Sequence, residues 1–112
     1  KMIRVSDETA ASHYAEHLGK SFYQELVDYI TSGPVVAMAW QGDDCVSLIR
    51  KLVGATKPSD AQSGTIRGDY CTHTNHNVVH ASDSPESGKR EVALYFKEEE
   101  LCFWQDELEG WM

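Results

Sequence analysis

The sequence predicts a mixed fold of the α+β or α/β class, because short apolar segments typical of strands alternate with longer segments of helical periodicity. A nearly continuous apolar run at residues 35–40, Val-Val-Ala-Met-Ala-Trp, predicts a buried strand. Residues 22–30 predict an amphipathic helix, since large apolar side chains recur there at the spacing of one helical face: Phe22, Leu26, Tyr29 and Ile30.

The other strands and helices in the first half of the chain are predicted from residues that typically begin or end such elements. Residues 1–5 alternate like a strand, and Ser6 can cap a helix that runs to about residue 17. An aspartate pair ending at Asp44 opens a further helix, which stops at Gly54. The periodicity of that helix predicts an inner face made of Val46, Ile49 and Leu52.

The second half begins with a long polar segment, residues 55–76, which the sequence predicts to be a loop. A loop of this length inside a compact domain is usually functional or disordered. Residues 78–79, Val-Val, predict a short strand that ends at His80, and the segment from Ser84 to residue 96 predicts a helix with proline in its first turn. Two aromatic residues are predicted to dock the C-terminal tail: Trp104 and Trp111.

Length and composition predict one domain over residues 1–112, with enough apolar residues for a core. The net charge of -8 argues against a general nucleic-acid binder, but a few arginines in a cleft can still hold one nucleotide. The three cysteines are odd in number and widely spaced, which favours free thiols in a reducing compartment. We find no apolar run long enough for a membrane span and no signal peptide, so we expect a cytoplasmic protein.

His80 is the strongest candidate for a catalytic residue. A lone histidine is more often a surface or core residue, but three neighbours change that interpretation. Asn77 precedes it by three residues, Ser82 follows by two, and Glu91 lies one helical stretch later. Phosphoryl transfer to an imidazole needs a neutral ring in a fixed tautomer, and Glu91 could fix that tautomer by accepting from one ring nitrogen.

Arg50, Thr56 and Arg67 are the candidate phosphate ligands. Arginine offers paired donors to phosphate oxygens, and a threonine hydroxyl adds one more. The alternative for either arginine is a surface ion pair, in a chain with 18 acidic residues. For Arg67 the surrounding segment, residues 65–69, favours the functional interpretation.

Two further patterns suggest other sites. Residues 19–21, Gly-Lys-Ser, resemble the end of a phosphate-binding P-loop, but that motif needs glycine where Tyr14 stands, so we reject it. A zinc site is a weaker alternative, because nitrogen and sulfur ligands follow one another closely but match no paired zinc pattern: Cys71, His73, His76 and His80.

Several blocks of this chain resemble the nucleoside diphosphate kinases, enzymes that move a terminal phosphate between nucleotides through a phosphohistidine. Because the blocks are well spaced and occur in one order, the resemblance is specific, and it runs from about Ser12 to the C-terminus. The blocks are Thr-Ile-Arg-Gly-Asp at 65–69 with Asn-Val-Val-His-Ala-Ser-Asp-Ser at 77–84, Ser-Gly-Pro-Val-Val-Ala-Met at 32–38, Gly-Ala-Thr-Lys-Pro at 54–58 and Glu-Val-Ala-Leu-Tyr-Phe at 91–96.

The resemblance implies a ferredoxin-like α/β sandwich, in which helices cover an antiparallel sheet. It implies that His80 is the phosphorylated nucleophile, that Glu91 orients it and that Ser82 supports either of them. It also implies a set of nucleotide and phosphate contacts: Tyr14, Phe22 (stacked on the base), Arg50, Thr56, Arg67 and Asn77. By periodicity alone, Phe22 and Tyr14 are more simply explained as core or helix-packing residues. The implied partners are nucleoside tri- and diphosphates, with Mg²⁺ as cofactor and a hexamer or tetramer as the assembly.

The sequence departs from the family pattern in two places. Ala81 stands where the family usually has glycine. The family's first strand and helix, with a Lys-Pro-Asp-Gly segment, have no counterpart before residues 1–5, so we expect an N-terminally incomplete domain, a fragment or one completed elsewhere. The missing lysine motivates one alternative function, a catalytically impaired nucleotide-binding or assembly domain. A metal-binding module that uses Cys71, His73 and His76 is the other alternative.

Overall fold

The computed structural model describes residues 1–102, so the prediction for Trp104 and Trp111 lies outside the described residues. The two strands are β1 (Met2–Ile3) and β2 (Val35–Val36). The helices are α1 (Asp7–His13), α2 (Tyr23–Ile30), α3 (Cys45–Val53), α4 (Ile66–Tyr70) and α5 (Pro85–Tyr95), with short 3₁₀ turns at Ala15–His17, Pro58–Asp60 and Glu98–Glu100. Among residues 1–102, every helix is too short or too polar to cross a membrane.

The sheet of the described chain is a single antiparallel pair. Met2 lies opposite Val36 and Ile3 opposite Val35. The strand predicted at residues 35–40 therefore ends early, and the prediction that it is buried is wrong, because Val36, Met38 and Trp40 are exposed. A continuous apolar run is typical of a strand that other elements cover on both faces. Whether such covering elements are present depends on the tertiary structure, and the run itself does not specify it.

α1 begins as predicted at Ser6, whose hydroxyl accepts a hydrogen bond from the Thr9 N–H at 3.1 Å. The α-helix ends at His13, and the chain reaches residue 17 through a 3₁₀ turn. α1 packs on α5, and the face it turns inward carries Ala10 and His13, which are both buried. This packing brings the C-terminal end of α1 beside the middle of α5.

α3 begins after Asp44 and ends at Gly54, as predicted. Its inner face is shifted from the prediction: Val46 and Ile49 are half-buried, but Leu52 is exposed and Val53 is buried instead. The shift follows from helix geometry, because a residue seven positions after Val46 returns to the same face, whereas one six positions later does not.

The polar segment at residues 55–76 is only partly a loop, because it contains α4. Thr65 caps this helix: its hydroxyl accepts from the Gly68 N–H at 3.0 Å and donates to the Gln62 carbonyl at 2.6 Å. A single short turn of helix with glycine in it has too little periodicity to be recognised in a polar sequence. The Gln62 carbonyl packs so closely on Gly68 that a β-carbon there would lie 1.9 Å from it.

The strand predicted at residues 78–79 is wrong. Val78 has a φ of 70°, and the Val79 N–H donates to the Asn77 carbonyl at 2.7 Å, which closes a tight three-residue turn. A β-branched residue strongly favours extended backbone, so the sequence predicted a strand. A valine in the left-handed region is strained, and such strain persists only where surrounding contacts hold it.

We predict that Gly68→Ala destabilises the fold by about 1–3 kcal/mol or more, because the new methyl group would overlap the Gln62 carbonyl and force α4 away from its cap. Urea unfolding of the two proteins measures the loss. Gly33→Ala is the matched control, since within residues 1–102 no heavy atom lies within 4 Å of a β-carbon placed at Gly33. Equal losses of unfolding free energy in the two variants would contradict the expected overlap between the new methyl group and the Gln62 carbonyl.

Candidate active site

His80, Glu91 and Ser82 form one hydrogen-bonded set, as the sequence predicted they would if the site is functional. The His80 Nε2 atom hydrogen-bonds to Glu91 Oε1, and the Ser82 hydroxyl donates to the same oxygen at 2.8 Å. Glu91 lies in α5, one turn beyond the residues that Ser84 caps. The His80 side chain is 44% exposed while that of Glu91 is 12% exposed. The imidazole is thus held by a half-buried carboxylate and remains accessible from solvent.

The Glu91 carboxyl stays ionised near neutral pH. Burial by itself would raise its pKa, but the hydrogen bonds from His80 and Ser82 outweigh burial and hold the pKa below its ordinary value. A carboxylate can only accept hydrogen bonds. The nitrogen of His80 that faces Glu91 must therefore carry a proton, so in the neutral imidazole the other ring nitrogen is the one that keeps its lone pair.

His13 is a site residue that sequence reasoning missed. Its ring lies edge-on to the His80 ring, with centroids 4.4 Å apart, and the Tyr95 hydroxyl lies 3.1 Å from its Nδ1. Burial, followed by the neighbouring charge of His80, lowers the pKa of His13 to about 4. The pKa of Tyr95 is raised to about 12 by burial, so its hydroxyl is protonated and can donate to a neutral His13. The three-residue spacing of Ala10 and His13 in α1 was the available clue, because it places His13 on the buried face.

Arg67 is buried, at 4% exposure, and each of its three guanidinium nitrogens donates to a backbone carbonyl. Nη2 donates to the Val79 carbonyl at 2.7 Å, Nη1 to Gly54 at 3.3 Å and Nε to Asn77 at 3.4 Å. Burial and the nearby positive charge of Arg50 lower the pKa of Arg67 from its very high ordinary value. These bonds hold both sides of the strained turn at Val78, directly before His80.

Two more arginines surround the site. Arg50, in α3, donates from Nη1 to the Ala81 carbonyl at 3.0 Å. Arg50 therefore contacts the chain directly after His80, whereas Arg67 contacts it directly before His80. Arg90 was not predicted; it donates to the carbonyl of Ser12 at 3.2 Å and lies 3.8 Å from a Glu91 oxygen. In a chain of net charge -8, three guanidinium groups near one histidine make the site locally cationic.

Tyr14, predicted to line the phosphate site, and Phe22, predicted to stack on the base, lie along a row of rings that starts at His80. The His13 ring is 4.5 Å from that of Tyr14, which in turn lies 6.4 Å from that of His17. The ring of Phe22, at the N-terminal end of α2, is 5.4 Å from that of His17. Tyr14 therefore lies close to His80, and Phe22 lies at the far end of the row. Burial raises the pKa of the Tyr14 hydroxyl, which keeps it protonated as a donor.

Thr56 and Asn77 occupy the two segments that Arg67 joins. Asn77 is half-buried, and its carbonyl accepts the Arg67 Nε hydrogen bond. Thr56 is exposed, two residues beyond Gly54, whose carbonyl accepts from Arg67 Nη1. Arg67 thus links the segment that carries Thr56 to the segment that carries Asn77 through backbone contacts.

His13, His80 and Glu91 each offer one metal-ligand atom, and these atoms all lie within 4.8 Å of one another. Two imidazoles favour a transition metal, whereas Mg²⁺ favours oxygen ligands. The His80–Glu91 hydrogen bond would have to break before an ion could enter between them. The arrangement is better suited to a histidine nucleophile than to a metal centre.

A cavity of about 960 Å³ lies beside Arg50 and Lys51, but its lining does not include His80 or Glu91. Three carboxylates line it: Asp44, Asp60 and Asp83. Negative charge of this kind disfavours a phosphate group, so we locate the chemistry at the exposed His80 ring and not in this cavity.

We predict that His13 makes folding stability pH-dependent in a defined window. The unfolded chain takes up this proton near pH 6.5, and the folded protein only near pH 4. The contribution of neutral His13 to the free energy of unfolding is therefore fully present above pH 6.5 and is lost as the pH falls to 4. The free energy of unfolding should fall by up to about 3 kcal/mol over this range. Denaturant unfolding of the original protein and of His13→Gln across this range measures the difference. Parallel stability curves would show that His13 is not the group responsible.

Comparisons with known proteins identify the family of this chain. A family model described as nucleoside diphosphate kinase matches residues 1–101. A nucleoside diphosphate kinase of Methanothermobacter thermautotrophicus is 54% identical over 105 residues, which are 94% of this chain and 70% of that protein. Another, from Heliobacterium modesticaldum, is 53% identical over 112 residues, covering 100% of this chain and 75% of the relative.

The fold agrees as well. A halophilic nucleoside diphosphate kinase from Halobacterium salinarum, solved in complex with CDP, superposes with a TM-score of 0.92 at 46% identity, covering 99% of this chain and 74% of that one. A nucleoside diphosphate kinase family protein from Babesia bovis gives a TM-score of 0.91 at 42% identity, covering 99% of this chain and 75% of that one. These neighbours confirm the predicted ferredoxin-like α+β fold. The chain therefore belongs to the nucleoside diphosphate kinase family and is a phosphotransferase.

Proposed function

We propose that the chain transfers the terminal phosphate of a nucleoside triphosphate to a nucleoside diphosphate through a phosphohistidine at His80. The hydrogen-bonded set of His80, Glu91 and Ser82 supports this most directly. Because Nε2 donates to Glu91, Nδ1 is the nitrogen with a free lone pair and is the attacking atom.

The proposed reaction has two matched half-steps. Nδ1 of His80 attacks the terminal phosphorus in line, so that the N–P bond forms as the bond to the leaving diphosphate oxygen breaks. The diphosphate departs, and a second diphosphate then attacks the phosphorus and restores the free imidazole. One site serves both nucleotides, which gives ping-pong kinetics.

We propose that Arg50 and Arg67 stabilise the charge on the transferring group. Their approach to the backbone at Ala81 and Val79, on either side of His80, supports this role. Arg67 would act mainly as a fixed buried charge, since backbone carbonyls already accept its hydrogen bonds. We propose Mg²⁺ as the cofactor; because Mg²⁺ prefers oxygen ligands, it would be held by the nucleotide phosphates, which it neutralises.

We propose that Tyr14, Thr56 and Asn77 contact the phosphates or sugar and that Phe22 stacks on the base. The position of Phe22 at the far end of the ring row from His80 supports this assignment. Lys20 Nζ lies over one face of the Phe22 ring, 5.7 Å from its centroid, so the opposite face would be left for the base.

The proposed assembly is a homo-oligomer, a hexamer or tetramer, as the family resemblance implies. Exposed apolar side chains after β2, including Met38 and Trp40, support a surface covered by another copy. The proposed location is the cytoplasm, which is supported by the free thiols of Cys45, Cys71 and Cys102.

We predict that His80→Ala lowers phosphotransfer by more than about three powers of ten, because removing the nucleophile removes the covalent path itself. Incubation with radiolabelled ATP tests this: the original protein should carry an acid-labile, base-stable label that His80→Ala lacks. Nucleotide affinity measured by calorimetry should survive in the variant. Nucleotide binding without labelling of the original protein would instead identify a catalytically impaired nucleotide-binding domain.

We predict broad base specificity, because stacking on Phe22 is tolerant of base identity and only a matched polar pocket rejects analogues strongly. Adenine, guanine, cytosine and uracil diphosphates should be accepted within about two powers of ten in kcat/KM. A panel of acceptors against one phosphorylated preparation measures this. A preference of about four powers of ten for one base would require a recognition element beyond Phe22.

A further inference from the structure

Two side-chain contacts join α2 to the turn formed by residues 71–76. The side-chain amide of Asn75 donates a hydrogen bond to Glu25 Oε2 at 2.9 Å. The His76 ring stacks on that of Tyr29, with an interplanar angle of 8° and a centroid distance of 4.7 Å. The turn is therefore fixed to α2 at two points along the helix.

The two points of attachment, Glu25 and Tyr29, share a helix face with Phe22. The Leu26 N–H donates to the Phe22 carbonyl at 3.1 Å, so helical geometry already begins at Phe22. Residues three and seven positions later return to the face of the first residue. The turn at residues 71–76 therefore meets α2 about one helical turn, roughly 5 Å along the axis, from Phe22.

The turn at residues 71–76 is also tied together internally. Cys71 is buried, and its thiol donates to the backbone carbonyls of His73 at 3.3 Å and His76 at 3.7 Å. The Asn75 N–H donates to His73 Nδ1 at 3.2 Å. Because these bonds connect its two ends, a contact that anchors Asn75 anchors the whole turn.

These contacts do not make the zinc site that the sequence offered as an alternative. Within residues 1–102, the ligand atoms of Cys71, His73 and His76 do not all lie within 4.8 Å of one another. The thiol of Cys71 is engaged with backbone carbonyls, and His80 is hydrogen-bonded to Glu91. The role of this cluster is therefore to be found in the position of the turn.

We propose that the Glu25–Asn75 hydrogen bond positions the turn at residues 71–76 as a second wall of the nucleotide site, beside the base that stacks on Phe22. This inference rests on the proposed role of Phe22. The turn leads directly into Asn77, a proposed phosphate or sugar contact, so one stretch of backbone would extend from the base toward the phosphates. Glu25 and Asn75 are then positioning residues, which take no part in the transfer step itself.

A wall at the base end of the site makes a specific demand on ligand chemistry. It contributes to the binding of a nucleoside diphosphate, which carries a base and a sugar. It contributes nothing to the binding of inorganic pyrophosphate, which has neither group. Loss of the hydrogen bond that holds the wall should therefore weaken the first ligand and spare the second, whereas general damage to the site would weaken both.

Calorimetric titration with ADP and inhibition of the enzyme by pyrophosphate test the proposal. We expect Glu25→Ala and Asn75→Ala each to weaken ADP binding about three- to tenfold, the scale of one hydrogen bond. Inhibition by pyrophosphate and the maximal rate of labelling at saturating ATP should not change. The double variant should bind ADP no more weakly than the weaker single variant, because both changes remove the same bond.

Two further variants serve as controls. Glu25→Gln keeps an oxygen that accepts from the Asn75 amide, so it should bind ADP like the original protein. Gln24→Ala removes a hydrogen bond of similar length, 2.8 Å to Asp28, that forms within α2 and does not reach the turn. It should also bind ADP like the original protein. Circular dichroism of each variant verifies folding.

The possible failures can be told apart. Unchanged ADP affinity in Glu25→Ala and Asn75→Ala, together with weakened affinity in Phe22→Ala, would overturn the positioning role alone. Unchanged affinity in all three variants would overturn the base site at Phe22 and this inference with it. Equal weakening of ADP and pyrophosphate would also overturn the inference. Selective weakening of ADP in a protein whose His80 takes no label would support the inference and count against the phosphohistidine mechanism.

Discussion

The buried guanidinium of Arg67 is the constraint on which the rest of the site depends. It donates to carbonyls on either side of Val78 and to a third at the end of α3, so it joins three segments that are distant in sequence. A valine at positive φ is strained, and these bonds supply the surrounding contacts that such strain requires. The same turn fixes the direction in which the chain presents His80 to α5.

The two histidines at the site, His13 and His80, have different surroundings. His13 is buried between α1 and α5, which keeps it neutral and provides a flat uncharged neighbour for His80. His80 is partly exposed and is held by an ionised carboxylate. A nucleophilic imidazole needs an accessible lone pair and a fixed tautomer. The partial exposure of His80 provides the access, and its hydrogen bond to Glu91 fixes the tautomer.

The fold could be predicted from the sequence at the level of class and family, and less well in its local details. The cap at Ser6 and the end of α3 at Gly54 follow from local chemistry, so the sequence predicted them. α3 also begins after Asp44 as predicted, but the Asp44 side chain makes no capping hydrogen bond. The strand at residues 35–40 was too long and the one at residues 78–79 was wrong. Both errors arose because strand formation depends on partners and covering layers that local composition does not describe.

The sequence by itself determined the identities and order of the groups at the site: a histidine, a serine and a glutamate at spacings that permit one hydrogen-bonded set, with one arginine before the long polar segment and one within it. The tertiary structure decided which groups meet. It brought His13 to His80 across more than sixty residues of chain and placed the Tyr95 hydroxyl on His13, and it placed His73 and His76 beside Glu25. Contacts between distant segments depend on how helices pack, and side-chain chemistry along the chain does not specify that packing residue by residue.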